Sequence, residues 1–214
     1  MEWSRVKNIL IVLLAIVNVF LFIVYLSTTV EDAKGNEQLV LNTVSILQKN
    51  GITVNSGVIP VNNPVLYPAT GKFADKVLDI VCTDGRFIAP AEGDIVNLSR
   101  RAGISILKES EASAYITVNG LPVYNGKITY DGKTFEGIAI EEVKTVSGNT
   151  PQGVCGILVS AISYIPKGEI QSVTQGYVYE ARGTEEVYLL PVWCITTTEG
   201  TVFADAMTGE KVEY

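Results

Sequence analysis

The sequence predicts an α+β protein in which an N-terminal transmembrane helix is followed by two units, each packing a helix on an antiparallel sheet. The prediction depends on an apolar run at its start, on two later stretches with helical spacing, and on strand-like runs separated by glycine-containing turns. The predicted segments are a cytoplasmic N-terminus at 1–8, a transmembrane helix at 9–29, a first unit at 30–149 and a second unit at 150–214.

The apolar run at 9–26 contains a single polar side chain, that of Asn18. As a helix it would span roughly 27 Å, close to the ~30 Å hydrocarbon core of a bilayer. Arg5 and Lys7 precede the run, so the positive-inside tendency predicts a single-pass protein of the cell membrane. Its N-terminus would be cytoplasmic and its C-terminal domain extracytoplasmic.

Trp3 and Tyr25 fall near the two ends of the predicted span, where amphipathic rings are favoured. Together with Arg5 and Lys7 they are the predicted membrane-interface anchors. The alternative is a cleaved signal peptide, which normally has a shorter apolar region and a small-x-small cleavage site. The residues at 26–29, Leu-Ser-Thr-Thr, are a poor cleavage site, so an uncleaved anchor is favoured.

Asn18 carries a hypothesis of its own, because a polar amide inside an apolar span is unfavourable against lipid. It would contact a partner helix, since interhelical hydrogen bonds of this kind contribute roughly 0.6–2 kcal/mol. Alternatively, the backbone of its own helix satisfies the amide. The sequence leaves both open.

Composition excludes several classes of function. The chain has 16 basic and 23 acidic residues, a net charge of −7, which argues against nucleic acid as a partner. It contains no histidine, which removes the commonest general base and the usual catalytic zinc sites. We therefore expect no metal and no cofactor. Cys82, Cys155 and Cys194 lie in apolar runs, and the sequence cannot choose among their possible disulfide pairings.

In the first unit, apolar spacing predicts a helix from Asn36 to Asn50 that ends at Gly51. Strands are predicted at 52–59 and 76–83, and a short helix at 94–102. Further strands between 104 and 145 are separated by three dipeptides that favour tight hairpin turns, Asn119-Gly120, Asn125-Gly126 and Asp131-Gly132.

In the second unit, Thr150-Pro151 resembles a helix start and Pro166 a helix end, so a helix is predicted between them. Strands are predicted at 169–181, 187–197, 201–206 and 211–213. The segment 187–195 is apolar on both faces and is expected at the centre of its sheet.

No arrangement of carboxylates predicts catalysis. Glu141-Glu142 and Glu185-Glu186 are neighbours in sequence, and neighbouring side chains on a strand point to opposite faces. Asp205 lies where a strand meets a turn, a context suited to hydrogen-bonding the turn. No nucleophile elbow or phosphate-binding loop is present, so the chain is not expected to be an enzyme.

Three parts of the sequence carry a family resemblance. They are the opening before the apolar run, Met1-Glu2-Trp3-Ser4-Arg5-Val6-Lys7, the stretch 119–124, Asn-Gly-Leu-Pro-Val-Tyr, and the C-terminal segments 165–168, 176–177, 190–193 and 204–210. They resemble the start, the mid-chain hairpin and the C-terminal pattern of the YycI family. Within the C-terminal segments, Pro191, Trp193, Asp205 and Gly209 form a structural motif that also resembles PepSY-type modules.

The resemblance implies an accessory regulator of a sensor histidine kinase, in the WalK–WalR cell-wall two-component system of Gram-positive bacteria. Its partners would be the kinase and a YycH-like protein in the membrane, reached by transmembrane and ectodomain contacts. Two alternatives stay open: a PepSY-like inhibitory or binding module for an exported peptidase, and a structural envelope protein.

Overall fold

The computed structural model describes residues 11, 13, 14, 17–19, 21, 36–60, 62–148 and 150–214. These residues fall into two compact units, one that ends at Asn42 and one that covers Thr43–Tyr214. The described positions between 11 and 21 are helical.

The predicted transmembrane helix at 9–29 is wrong, because no helix in the described part of the chain is both long and apolar enough to cross a membrane. The single-pass membrane location, with a cytoplasmic N-terminus and an extracytoplasmic C-terminal domain, is corrected with it. The anchors predicted with it, Trp3, Arg5, Lys7 and Tyr25, lie outside the described residues.

A helix, α1, covers 36–49, close to the prediction. Val40, Thr43 and Leu47 are its buried residues, spaced three and four apart as on one helical face. The chain leaves the helix through Gly51, whose φ of +80° is a conformation that glycine adopts without strain.

In the described part of the chain, two further helices and fourteen strands follow. The helices are α2 (Ile95–Ala102) and α3 (Val154–Ser160), and a 3-10 turn covers Ser56–Val58. The strands are β1 (Ile52–Val54), β2 (Ala69–Phe73), β3 (Lys76–Val77), β4 (Ile80–Val81), β5 (Arg86–Pro90), β6 (Ile106–Lys108), β7 (Ser113–Val118), β8 (Leu121–Tyr130), β9 (Thr134–Ile138), β10 (Ile140–Thr145), β11 (Gly168–Arg182), β12 (Glu186–Thr197), β13 (Gly200–Asp205) and β14 (Lys211–Val212).

The predicted α+β architecture of two helix-on-sheet units is also wrong. Within the described residues, twelve strands form one mixed sheet with the main order β10-β2-β12-β11-β8-β7-β6. Strands from both predicted units interleave in it, because β11 and β12 are long enough to pair with β1, β2 and β8 from earlier in the chain. Helices α2 and α3, of eight and seven residues, are short additions to this sheet.

The centre of the sheet is the antiparallel hairpin of β11 and β12, paired from Ile170–Thr197 to Arg182–Glu186. The expectation that 187–195 is central is confirmed, since β12 has β11 on one edge and β2 and then β13 on the other. Along that second edge β2 pairs with residues 186–189 and β13 with residues 192–197. Pro191, which has no N–H to donate, lies between the two partners.

Local turn and cap chemistry explains several element ends. Asp94 caps α2 by accepting the Asn97 N–H at 2.8 Å, so this predicted helix is confirmed. The turns at Asn119-Gly120 and Asp131-Gly132 are present as predicted, with Asn119 at a φ of +52°.

Other local predictions are wrong. The apolar stretch 76–83 folds back on itself as the short β3–β4 hairpin, with left-handed φ values of 53° at Leu78 and 57° at Asp79. Asn125-Gly126 lies inside β8 and makes no turn. Helix α3 starts after Gly153, which provides no side-chain cap, and not at Thr150-Pro151.

The close contact of β11 and β8 requires a glycine at position 176. A Cβ there would lie 2.5 Å from a ring carbon of Tyr124 and 2.6 Å from the backbone oxygen of Pro122. Gly176 therefore permits the two strands to approach.

We expect Gly176→Ala to lower the free energy of unfolding by about 1–3 kcal/mol, because the backbone of Pro122 cannot move aside as a flexible side chain would. Urea denaturation of both proteins measures this difference. The control is Gly148→Ala, where a Cβ meets nothing within 4 Å. Equal stability of the two variants would contradict this account.

Candidate functional site

The large sheet divides along one edge of β8, and this point of division is called the fork. One edge of β8 pairs with β7, whereas the other pairs first with β11, at Val123–Tyr177, and later with β9, at Thr129–Glu136. Between these two partners the ladder is open. The fork is therefore bounded by β8, β9 and β11.

Backbone groups of two residues point into the fork. Asp131 N–H donates to Thr134 O, which makes this the hydrogen-bonded pair that closes the β8–β9 hairpin. Such pairs alternate along an antiparallel ladder, so the pair after Thr129–Glu136 would join Lys127 to Ile138. The described register contains no such pair. The backbone N–H and C=O groups of these two residues are therefore directed at the fork without a ladder partner.

The side chain of Asn125 holds β11 against β8 next to this opening. Its Nδ2 donates to the backbone oxygen of Tyr179 at 2.8 Å, and its Oδ1 accepts from the Tyr179 N–H at 2.9 Å. The amide thus makes the two bonds that a neighbouring strand would make. It satisfies the backbone N–H and C=O of Tyr179 at a position where β8 and β11 no longer pair.

A groove of about 650 Å³ occupies the fork and is called the fork groove. Val81 and Ile88 expose 73% and 60% of their surface beside it, which is unusual for aliphatic side chains. Polar and apolar groups alternate along its walls. The lining residues are Ile80, Val81, Thr83, Arg86, Phe87, Ile88, Asn125, Lys127, Thr129, Glu136, Gly137, Ile138 and Tyr179.

Arg86 stands where the fork groove meets an adjoining cavity of about 490 Å³, which Thr83 and Tyr179 also line. Its backbone is fixed by two hydrogen bonds with Thr83, of 2.9 and 3.0 Å. Its guanidinium makes no ion pair with any side chain in the described part of the chain. A guanidinium stays charged at all ordinary pH values, so Arg86 can receive a carboxylate in either cavity.

Strand β5 forms an outer edge beside the same groove. Ala139 N–H donates to Gly85 O, so the backbone groups of Gly85 face β9. Because this direction alternates along the strand, the backbone groups of Phe87 also face β9 and those of Ile88 face outwards. Pro90 has no N–H and limits how far another strand could pair along this edge. Ile88 is thus the one exposed position of β5 that offers both a donor and an acceptor.

A polar network borders the groove at Lys127. Glu109 accepts hydrogen bonds from Lys127 at 2.5 Å and from Ser113 and Tyr115 at 2.8 Å each. These bonds lower the pKa of Glu109 from its usual 4.5 to about 2, and the bond from Lys127 has the largest effect. Burial and the bond to Glu109 raise the pKa of Tyr115 to about 12.

The residues predicted from the sequence lie elsewhere. Pro191 and Trp193 are on β12, and Asp205 ends β13, where its Oδ1 accepts the Met207 N–H at 2.6 Å. Gly209 follows in the same turn with a φ of +78° and donates its N–H to Asp205 O. Long-range pairing brings these four residues to the same end of the sheet. Within the described residues none of them lines the fork groove.

Asn18 is helical and its side chain is exposed; its predicted contact with a partner helix stays a prediction. The three cysteines are free thiols, and burial raises the pKa of Cys82 and Cys194. Glu142 forms an ion pair with Lys72 at 2.8 Å. Among residues with assigned positions, no group of three Cys, Asp or Glu side chains could hold a metal ion.

Sequence reasoning missed the fork residues because their roles depend on distant pairing. The Asn125-Gly126 dipeptide suggested a turn, although its amide binds a backbone 54 residues away. A usable signal is an asparagine within a long run that otherwise reads as a continuous strand.

We expect Asn125→Leu to destabilise the protein by about 2 kcal/mol, because it removes both hydrogen-bond partners of the Tyr179 backbone. Urea denaturation measures the loss, and Asn97→Leu, on an exposed position of α2, is the matched control. If Asn125→Leu were as stable as the control variant, the amide would not hold the fork.

The Glu109 network predicts a pH dependence with a definite sign. The folded pKa of Glu109 is depressed, so its stabilising effect is complete above about 4.5 and declines as the pH falls towards about 2. The difference in unfolding free energy between the wild type and Glu109→Gln should decrease over that window. Glu111→Gln, which removes an exposed ion pair with Lys108, is the control and should show little difference at any pH.

Comparison with known proteins assigns no family to the chain. No family model matches the sequence, and no curated protein matches it. A crystal structure of an uncharacterized protein from Eubacterium rectale ATCC 33656 is similar over 56% of this chain and 53% of the other, at 16% identity and a TM-score of 0.36. The chain thus spans about half the length of that protein, and a likeness of this degree carries no argument about fold or function.

Proposed function

We propose that the chain is a regulatory binding protein that acts by contact, taking up an extended segment of a protein partner in the fork groove. The observation that carries this proposal is the open ladder between Lys127 and Ile138, next to the exposed side chains of Val81 and Ile88. Backbone groups without a ladder partner, beside apolar surface, suit a strand that adds to the sheet.

The groove also restricts the chemistry of the segment. Main-chain hydrogen bonds in the fork would supply affinity, and apolar side chains of the partner would pack on Ile88 and Val81. A carboxylate on the partner would pair with Arg86, whose guanidinium has no ion-pair partner among the described side chains. The expected segment is therefore extended, mainly apolar and acidic at one position.

The resemblance to the YycI family suggests the class of partner: a sensor histidine kinase of a cell-wall two-component system, or a YycH-like protein bound to it. A binding protein shifts a kinase between two states only by binding one of them more tightly. A difference of about 1–3 kcal/mol would change the populations several-fold or more. This mechanism requires no chemical step.

A photo-reactive amino acid placed at position 88 of the full chain, in cells that produce it, tests this function. We expect covalent adducts with the kinase or with its YycH-like protein, identified by mass spectrometry. The matched control is position 107, because Leu107 is 50% exposed and also lies on an edge strand, β6.

Arg86→Glu should reduce the yield of these adducts several-fold, because it replaces the cation that faces the partner's carboxylate. Equal adducts from positions 88 and 107 would contradict a role for the fork groove. Adducts of position 88 with an exported peptidase in place of the kinase would favour the PepSY-like alternative.

A further inference from the structure

A second, smaller cavity lies against the central hairpin and is called the Trp193 cavity. Its volume is about 60 Å³. Gln175 of β11 and Trp193 of β12 are directly opposite each other in the ladder and both line it. The other lining residues are Pro60, Asn63, Pro64, Val65, Leu66, Pro151, Gln152, Gly153, Val154 and Ala206.

Two buried side chains in this cavity have hydrogen-bonding capacity that the described protein leaves unused. Trp193 is 3% exposed, and its indole N–H has no acceptor among the described residues. Gln175 is 8% exposed; its backbone pairs with Trp193 and accepts from the hydroxyl of Tyr124, whereas its side-chain amide bonds to none of the described residues. Buried polar groups are ordinarily paired, so the two together point to a bound group.

The walls determine what that group can be. None of the side chains that the structure describes in the lining is charged, and Pro60, Pro64 and Pro151 have no backbone N–H. The side-chain amide of Gln152 already donates to the backbone oxygen of Met207 at 3.0 Å. Asn63 and Gln152 of the lining are exposed, so the capacity that remains on its buried side chains is one indole donor and one amide, which both donates and accepts.

We propose that the Trp193 cavity binds a single uncharged carboxamide group. The carbonyl oxygen of this group accepts from the indole N–H of Trp193, and its N–H donates to the side-chain oxygen of Gln175. The cavity has room for about two water molecules, a volume close to that of a small amide group. A carboxylate of the same shape is excluded because no cation would pair with it.

The test uses the full chain with Trp3→Phe, so that a ¹⁵N-labelled indole reports Trp193 alone. Acetamide should move the indole N–H resonance in a saturable way, with weak affinity in the millimolar range or above, as expected for a ligand of four heavy atoms. Acetate at equal ionic strength should leave the resonance in place. A blocked Ala-Asn-Ala peptide, compared with Ala-Ala-Ala, distinguishes a side-chain amide from a free small amide.

Gln175→Met keeps the length of the side chain and removes its amide, and it should weaken acetamide binding up to about tenfold. Gln171→Met, on an exposed position of the same strand, should leave binding unchanged. The proposal is overturned if neither amide moves the resonance, or if acetamide and acetate move it equally. In the first case the cavity holds water only, and in the second it does not distinguish an amide from a carboxylate.

Discussion

The pairing of β11 with β12 is the interaction on which the rest of the molecule depends. This hairpin is the longest ladder in the described sheet, and its two outer edges receive β1, β8, β2 and β13. Leu189 and Ile195 on β12 are fully buried. Each of these shorter strands thus pairs with a strand of the hairpin, and the two strands of the hairpin hold each other in place.

The same constraint produces the fork. Strand β8 pairs with β11 at only one position and with β9 further along the same edge, because β11 and β9 diverge from each other. The opening would leave the backbone of Tyr179 without partners if Asn125 did not supply them. The candidate binding surface is therefore a by-product of how the sheet divides, and it is made of backbone groups as much as of side chains.

Local chemistry explains what the sequence could predict. The cap at Asp94, the turns at Asn119-Gly120 and Asp131-Gly132 and the helix at 36–49 each depend on residues close in sequence. The single interleaved sheet was not predictable in this way, because it depends on contacts such as that of Val123 with Tyr177. The candidate site was missed for the same reason.

Pro191 sets a further consequence for the architecture. The ladder of β2 with β12 stops after Ala69–Leu189, and the next residues on the two sides include Pro68 and Pro191, neither of which has an N–H. Strand β2 therefore pairs with β12 no further than Ala69, whereas on its other edge the N–H of Val146 still donates to Pro68 O. Pro60 and Pro64, from the segment that precedes β2, line the Trp193 cavity, and neither has a backbone N–H to donate there.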